Sequence, residues 1–232
     1  PYISTGLKGN KFGIAHERTL ATYQHAASLP GLAVVGIDCH IGSQITQEAP
    51  YLDAMDRMLD LVTAIEAAGI PIHHIDFGGG LGIDYQGDTP PSADTLWAKL
   101  LTKLDARGFG QRLLMIEPGR SLVGNAGVCL TEVLFMKPGE QKNFCIVDAA
   151  MNDLPRPALY QAYHAIVPLE QSKQAQAEST VCDVVGPVCE SGDWIGHDRP
   201  LAVQAGDRLA VLSAGAYCMS MSSNYNSRPR AA

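Results

Sequence analysis

Phe77-Gly78-Gly79-Gly80-Leu81-Gly82 sets four glycines in five positions directly after the apolar run Ile72 to Phe77. That run alternates and is rich in β-prone residues, so the glycines are predicted to lie at the C-terminal end of a strand. Glycine reaches positive φ and presents bare amides. Successive amides at such a place form an anion cradle, the usual seat of a phosphate. A glycine run by itself serves a tight turn equally well, and its neighbours decide between the two.

Two further segments repeat the pattern. Leu32 to Cys39 is an apolar strand that breaks into His40-Ile41-Gly42-Ser43-Gln44, and Leu113 to Ile116 breaks into Glu117-Pro118-Gly119-Arg120. The markers His40, Gly78 and Glu117 fall at nearly equal spacing. Between them lie amphipathic helical stretches, Tyr51 to Ala68 and Ala93 to Arg107, with Met55, Met58, Leu59, Val62 and Ile65 on one stripe and Leu96, Leu100 and Leu104 on the other. Strand, polar loop, helix, repeated, predicts a parallel β/α barrel or sheet. In such folds the C-terminal strand ends share one face, where active sites form. An imidazole, an amide cradle, a carboxylate and a guanidinium thus converge by topology.

The chain has 232 residues, 46% of them apolar, and a formal net charge of −7. This is enough for one large domain or two small ones with an ample core. The acidic balance argues against a nucleic-acid partner, which would need basic stripes. No apolar run approaches the length of a membrane span, and Pro1-Tyr2-Ile3-Ser4-Thr5 lacks the features of a signal peptide. A cytoplasmic protein with no membrane partner is expected. The cysteines at 39, 129, 145, 182, 189 and 218 form no C-x-x-C pair, and no metal site is expected, because Cys39-His40 has no second pair at ligand spacing. Five of the six thiols are expected to be buried and reduced.

The chain opens on a polar glycine-rich loop, Ser4 to Ile14, before a helix predicted over His16 to Ser28. Three β/α units are too few to close a barrel. The composition then shifts near Asn125, which divides the chain into an expected partial barrel at 1–125 and an all-β domain at 126–232. Strands are predicted at Val128 to Phe135, Asn143 to Val147, His164 to Pro168, Thr180 to Val185, Leu201 to Val203 and Arg208 to Leu212, with one helical turn around Ala158 to Tyr163. This half carries three polar clusters. Arg156 and Tyr160 stand four apart, on one face if the segment turns helically. Gly186 to Asp193 crowds Cys189, Glu190 and Asp193 into a glycine-bounded loop. Gly215-Ala216-Tyr217 precedes a Met/Ser run and Asn224-Tyr225-Asn226. Each suits a packed turn, and together they suit a substrate pocket.

CHIGSQ (Cys39 to Gln44), FGGGLGI (Phe77 to Ile83), EPGR (Glu117 to Arg120), MNDLPRPALY (Met151 to Tyr160), GPVCESGD (Gly186 to Asp193) and GAYCMSMSSNYNSRP (Gly215 to Pro229) together resemble the diaminopimelate decarboxylase family. That family sits in the alanine-racemase-type group of pyridoxal-phosphate enzymes. The group shares versions of the histidine, glycine and EPGR motifs, whereas MNDLPRPALY and CESGD are narrower. The resemblance implies an α/β plus all-β fold: the C-terminal part of a TIM (β/α)8 barrel that binds pyridoxal 5'-phosphate, then a β-sandwich or β-barrel domain. It implies decarboxylation of meso-2,6-diaminopimelate to L-lysine and CO2, the last step of lysine biosynthesis.

The family roles fall on these positions. Gly79 and Gly80 would bind the cofactor phosphate, with Ser43, Arg120 and Tyr217 adding contacts, while Glu117 would pair with the pyridine nitrogen and His40 would stack on the ring. Arg156, Tyr160 and Arg120 would hold the substrate's distal carboxylate and Glu190 its distal amino group, with Tyr217 a further substrate contact. Cys189 would return a proton to the carbon that loses CO2, reaching across a homodimer whose sites are shared. The family's cofactor lysine lies in a segment N-terminal to everything in this chain, and Lys8 and Lys11 belong to a different loop, TGLKGNKFG. The resemblance therefore implies a fragment that lacks the N-terminal barrel segment and the extreme C-terminus, and that is inactive alone. Two alternatives stay open: another basic amino acid decarboxylase of the group, or a non-catalytic cofactor-binding regulatory relative.

Overall fold

The computed structural model describes residues 11–170 and 178–231. Most of the opening glycine-rich loop, with Lys8, lies outside the described residues. The described chain forms two compact units, one of residues up to Ile83 with Thr89–Gly119, the other of Asp84–Asp88 with Arg120 onward.

The first unit is a run of parallel β/α units. A 3-10 turn at His16–Arg18 leads into α1 (Thr19–Ser28). Strands β1 (Gly36–Asp38), β2 (His74–Asp76) and β3 (Leu113–Met115) form a parallel sheet in that order, with Ile37, Ile75 and Leu114 in register. α2 (Ala49–Ala67) and α3 (Ala93–Ala106) follow β1 and β2. Pro50 sits in the first turn of α2, where a missing N–H costs nothing. Ser92 caps α3 by accepting the Thr95 amide at 3.2 Å. The apolar stripe read from the sequence faces inward: Met55, Leu59, Val62 and Ile65 pack with Ile72, Ile75, Leu100 and Leu104 in one core. On the outer faces Lys99, Lys103, Arg107 and Arg112 pair with Glu48, Asp56, Asp60 and Glu66. Such exposed pairs set register more than stability. The strands are shorter than predicted, since only three residues of each exchange ladder bonds.

The second unit is a six-stranded mixed sheet in the order β6-β9-β4-β5-β7-β8. Its strands are β4 (Cys129–Lys137), β5 (Asn143–Val147), β6 (Ile166–Pro168), β7 (Thr180–Val185), β8 (Trp194–Leu201) and β9 (Arg208–Val211). β5 and β7 are parallel and the other pairs antiparallel. The sheet curls until its edge strands nearly meet, with Ile166 Cδ1 only 3.0 Å from where a Cβ on Gly196 would sit. Val133, Cys145, Val147, Val184, Ile195 and Leu209 fill the interior.

Three local readings need correction. The last-but-one strand spans Trp194–Leu201 rather than Leu201 to Val203; Gly196 and Pro200 disguise it, and both are tolerated because, among the described residues, β8 pairs with β7 alone. The helical turn is α5 (Arg156–Tyr160), starting two residues before the predicted Ala158 because Pro155 and Pro157 suit a first turn, and ending at Gln161 in the left-handed region (φ 55°). A short α4 (Gly119–Val123) directly follows Pro118 and was not anticipated. All six cysteines are free, but Cys39 and Cys129 are only half-buried.

Candidate active site

In the first unit the three strand ends are locked to one another through the glycines. A Cβ on Gly78 would meet the Cys39 carbonyl, one on Gly79 the Glu117 carbonyl, and one on Gly80 the Gly42 carbonyl. The close approach read from the sequence is thus made first by protein backbone. The Glu117 amide donates to Gly78 O at 2.8 Å, the Gly78 amide to Asp76 Oδ1 at 2.8 Å, and the Tyr51 hydroxyl to Gly79 O at 3.3 Å. Burial pushes the Tyr51 phenol up to about 12, which keeps it a donor. Gln44 clamps the far side of the loop, donating to Ile83 O at 2.6 Å and accepting the Ile83 amide at 3.2 Å.

On this scaffold His40 and Glu117 are exposed at the strand ends, and Ser43 is half-buried in the loop after β1. His40 Nδ1 accepts the Gly79 amide at 3.3 Å, which puts the proton of the neutral ring on Nε2. The Gly79 amide is therefore engaged with protein. The Gly80 amide has no hydrogen-bond partner among the described residues. Gly80 also lies at φ 96°, outside the range of other residues. Gly80→Ala is expected to cost about 1–3 kcal/mol from backbone strain alone, read as a lower denaturation midpoint of the full-length protein. An unchanged midpoint would show that the loop yields without cost.

The second unit gathers Arg120, Arg156, Tyr85, His164 and Tyr217. Arg120 and Arg156 are buried (6% and 7% exposed). Arg120 Nη1 donates to the Tyr85 hydroxyl at 2.6 Å, and its guanidinium carbon lies 4.8 Å from the Tyr217 ring centre. The Arg156 guanidinium lies 4.6 Å from the centre of the Tyr85 ring. Arg156 Nη1 donates to His164 Nε2 at 2.8 Å, and His164 Nδ1 donates to Leu212 O at 2.9 Å. Burial, reinforced by the Arg120 charge, lowers the Arg156 pKa, because no carboxylate neutralises it among the described residues. Two guanidinia are thus held on one phenol, with no carboxylate of the described residues beside Arg156. Tyr160 projects from α5 one turn after Arg156, half-buried.

His164 is fully buried and its pKa falls from 6.5 to about 4, chiefly through burial and then through the nearby arginines. Below about pH 6.5 the unfolded chain takes up a proton on this residue that the folded chain refuses until about pH 4. Stability should therefore fall with pH across that window, by up to roughly 3 kcal/mol. Denaturation of the full-length protein at pH 7 and pH 5, with and without His164→Gln, checks this; an identical loss in both proteins would rule His164 out as the cause.

Cys189 and Glu190 are exposed, and Glu190 Oε2 lies 3.3 Å from the Tyr225 hydroxyl. The third acid of that loop turns inward: Asp193 Oδ1 accepts the Met151 amide at 2.6 Å and Oδ2 the Val188 amide at 2.7 Å. It anchors the loop to the MNDLPRPALY segment. Arg228 secures the same segment by donating to Asn152 Oδ1 at 3.0 Å and Asp148 O at 2.6 Å.

The first unit therefore collects His40, Ser43, Gly79, Gly80 and Glu117, and the second Arg120, Arg156, Tyr160, Cys189, Glu190 and Tyr217. Tyr85, His164 and Gln44 were given no role from the sequence. Tyr85 stands just past the glycine motif, where a phenol reads as loop; His164 opens a predicted strand, where a histidine reads as incidental.

The parallel β/α unit with its glycine loop, histidine and carboxylate defines a class. The family described as pyridoxal-dependent decarboxylase, pyridoxal binding domain, matches residues 1–124, and the chain belongs to that family. Among individual relatives, the diaminopimelate decarboxylase of Vibrio cholerae is 53% identical over the whole chain and that of Aquifex aeolicus 46%. The crystal structure of diaminopimelate decarboxylase from Helicobacter pylori complexed with L-lysine matches 99% of the chain at a TM-score of 0.90 and 39% identity. The chain spans 54% of the Vibrio protein and 56% of the Helicobacter chain.

Proposed function

We propose that this chain is the cofactor- and substrate-binding part of a pyridoxal-phosphate enzyme that decarboxylates meso-2,6-diaminopimelate to L-lysine and CO2. The observation that carries the reading is Arg156, a buried cation facing no carboxylate among the described residues. Diaminopimelate keeps one carboxylate through the reaction, whereas lysine, ornithine and arginine as substrates lose the one they have. A guanidinium offers that retained group bidentate geometry, and Tyr160 and Arg120 accompany it.

The residues fit the cofactor. The unused Gly80 amide suits an anionic phosphate, with Ser43, Arg120 and Tyr217 as further holders, while Gly79, its amide taken by His40, would contribute only a close backbone approach. Glu117 is an exposed carboxylate for the pyridine nitrogen, and His40 an exposed imidazole for the ring face. Pyridoxal phosphate, when bound, supplies an electron sink for the pair left by departing CO2, and an ionised Glu117 keeps the ring nitrogen protonated for that purpose. Glu190 accepts from the substrate's distal ammonium. Cys189, exposed on a loop that Asp193 fixes, donates the proton that replaces CO2, and it does so in the neighbouring subunit of a homodimer. No helix among the described residues is long and apolar enough to cross a membrane, in keeping with a cytoplasmic enzyme.

The test is the full-length protein with pyridoxal phosphate, assayed for CO2 release from meso-diaminopimelate, lysine, ornithine and arginine. Preference for diaminopimelate is expected. Faster release from another substrate would make the protein a different basic amino acid decarboxylase. Cofactor binding without CO2 release would make it a regulatory relative.

A further inference from the structure

We propose that His164 is a positioning residue for substrate selection: its buried, neutral imidazole fixes the orientation of the Arg156 guanidinium so that its free edge meets a carboxylate squarely. This rests on Arg156 as the clamp of the distal carboxylate. A planar fork binds a carboxylate well only when both its plane and its rotation within that plane are set. The Tyr85 ring, 4.6 Å from the guanidinium carbon, sets the plane. His164 Nε2, 2.8 Å from Nη1, sets the rotation.

The ring can do this only in one form. Nδ1–H is committed to Leu212 O at 2.9 Å, just past the end of β9, so Nε2 carries the lone pair. Arginine has donors and no acceptor, and the two assignments agree. Edge-on contact with Tyr85, at 5.5 Å between ring centres and 78° between planes, holds the imidazole from a third side. His164 is 0% exposed, so neither water nor substrate reaches it. Its effect on a ligand passes through Arg156, directly at Nη1 and through the Tyr85 ring they share. One of the five guanidinium N–H groups is spent on this contact, which leaves a pair for a ligand.

The experiment uses full-length holoenzyme and two ligands, L-lysine, which retains a carboxylate, and 1,5-diaminopentane, which has none. His164→Asn can reach Leu212 O but not Arg156, whereas the longer His164→Gln can place an amide oxygen where Nε2 stood. The Asn variant is expected to bind lysine about tenfold or more weakly while diaminopentane binding is unchanged. The Gln variant should stay within about threefold of wild type on both, consistent with a retained acceptor. His164→Met, similar in bulk and without a strong acceptor, replaces Asn if that variant does not fold. Equal weakening of both ligands, or a folded Gln variant that loses lysine as Asn does, would overturn the proposal. Arg156→Ala separates the two layers: if it leaves lysine binding intact, the clamp reading itself fails. If it abolishes lysine binding while His164→Asn does not, only the role of His164 falls.

Discussion

Glu117→Gln in the full-length enzyme is expected to lower turnover by roughly 10²-fold or more with the cofactor still bound. On the proposed reading Glu117 keeps the pyridine nitrogen protonated, which a neutral amide cannot do, so the electron pair left by CO2 would lose its sink. The substitution should be structurally quiet. Glu117 is held by its backbone, whose amide donates to Gly78 O, and its side chain is exposed. Cofactor content and steady-state turnover of the same preparation check it. Turnover within about threefold of wild type would remove Glu117 from the role.

Mixing two inactive proteins should restore activity. In the homodimer proposed above, full-length Cys189→Ala and full-length Glu117→Gln would each spoil every site of their own dimer. If Cys189 serves the neighbouring subunit, a mixed dimer holds one site with both lesions and one with neither, because a two-fold interface builds each site from one copy of each half. Free exchange at equal amounts should then recover about one quarter of the wild-type specific activity. If mixed dimers are shown to form and remain as inactive as the weaker parent, Cys189 acts within its own subunit or not at all. The prediction depends on no measured constant, only on how many sites escape damage.

Much of the architecture was legible because it is written in local periodicity. The stripe Met55, Leu59, Val62 and Ile65 could face only a core, and each strand announced its end with a residue that no strand interior wants. What escaped was decided by distant partners. β8 carries Gly196 and Pro200 and reads as loop until its edge position is known. Tyr85 and His164 carry no signal of their own; each matters because Arg156 stands beside it, and that adjacency is made by folding. The glycine loop was half-read: Gly79 and Gly80 are pressed against Glu117 and Gly42, a demand for glycine that a phosphate cradle alone would not make. Asp193 was read as part of a polar pocket, but its two oxygens are taken by backbone amides, a distinction between anchor and reactant that composition does not reveal.

β4 joins β5 on one side almost as soon as both exist, but its other side waits for β9, about 80 residues further along, with Cys129 opposite Val211 and Thr131 opposite Leu209. A ribosome adding about 5–20 residues each second takes several seconds to deliver that partner. For that interval the nascent chain presents a bare ladder edge flanked by apolar Val128 and Leu130, which remain exposed even after folding. Only Glu132, opposite Arg208, sets a charge there against premature pairing. Vectorial synthesis therefore leaves this strand as the point where chaperone capture or chain-to-chain misassociation competes with correct closure, and production at high expression rates should be limited there first.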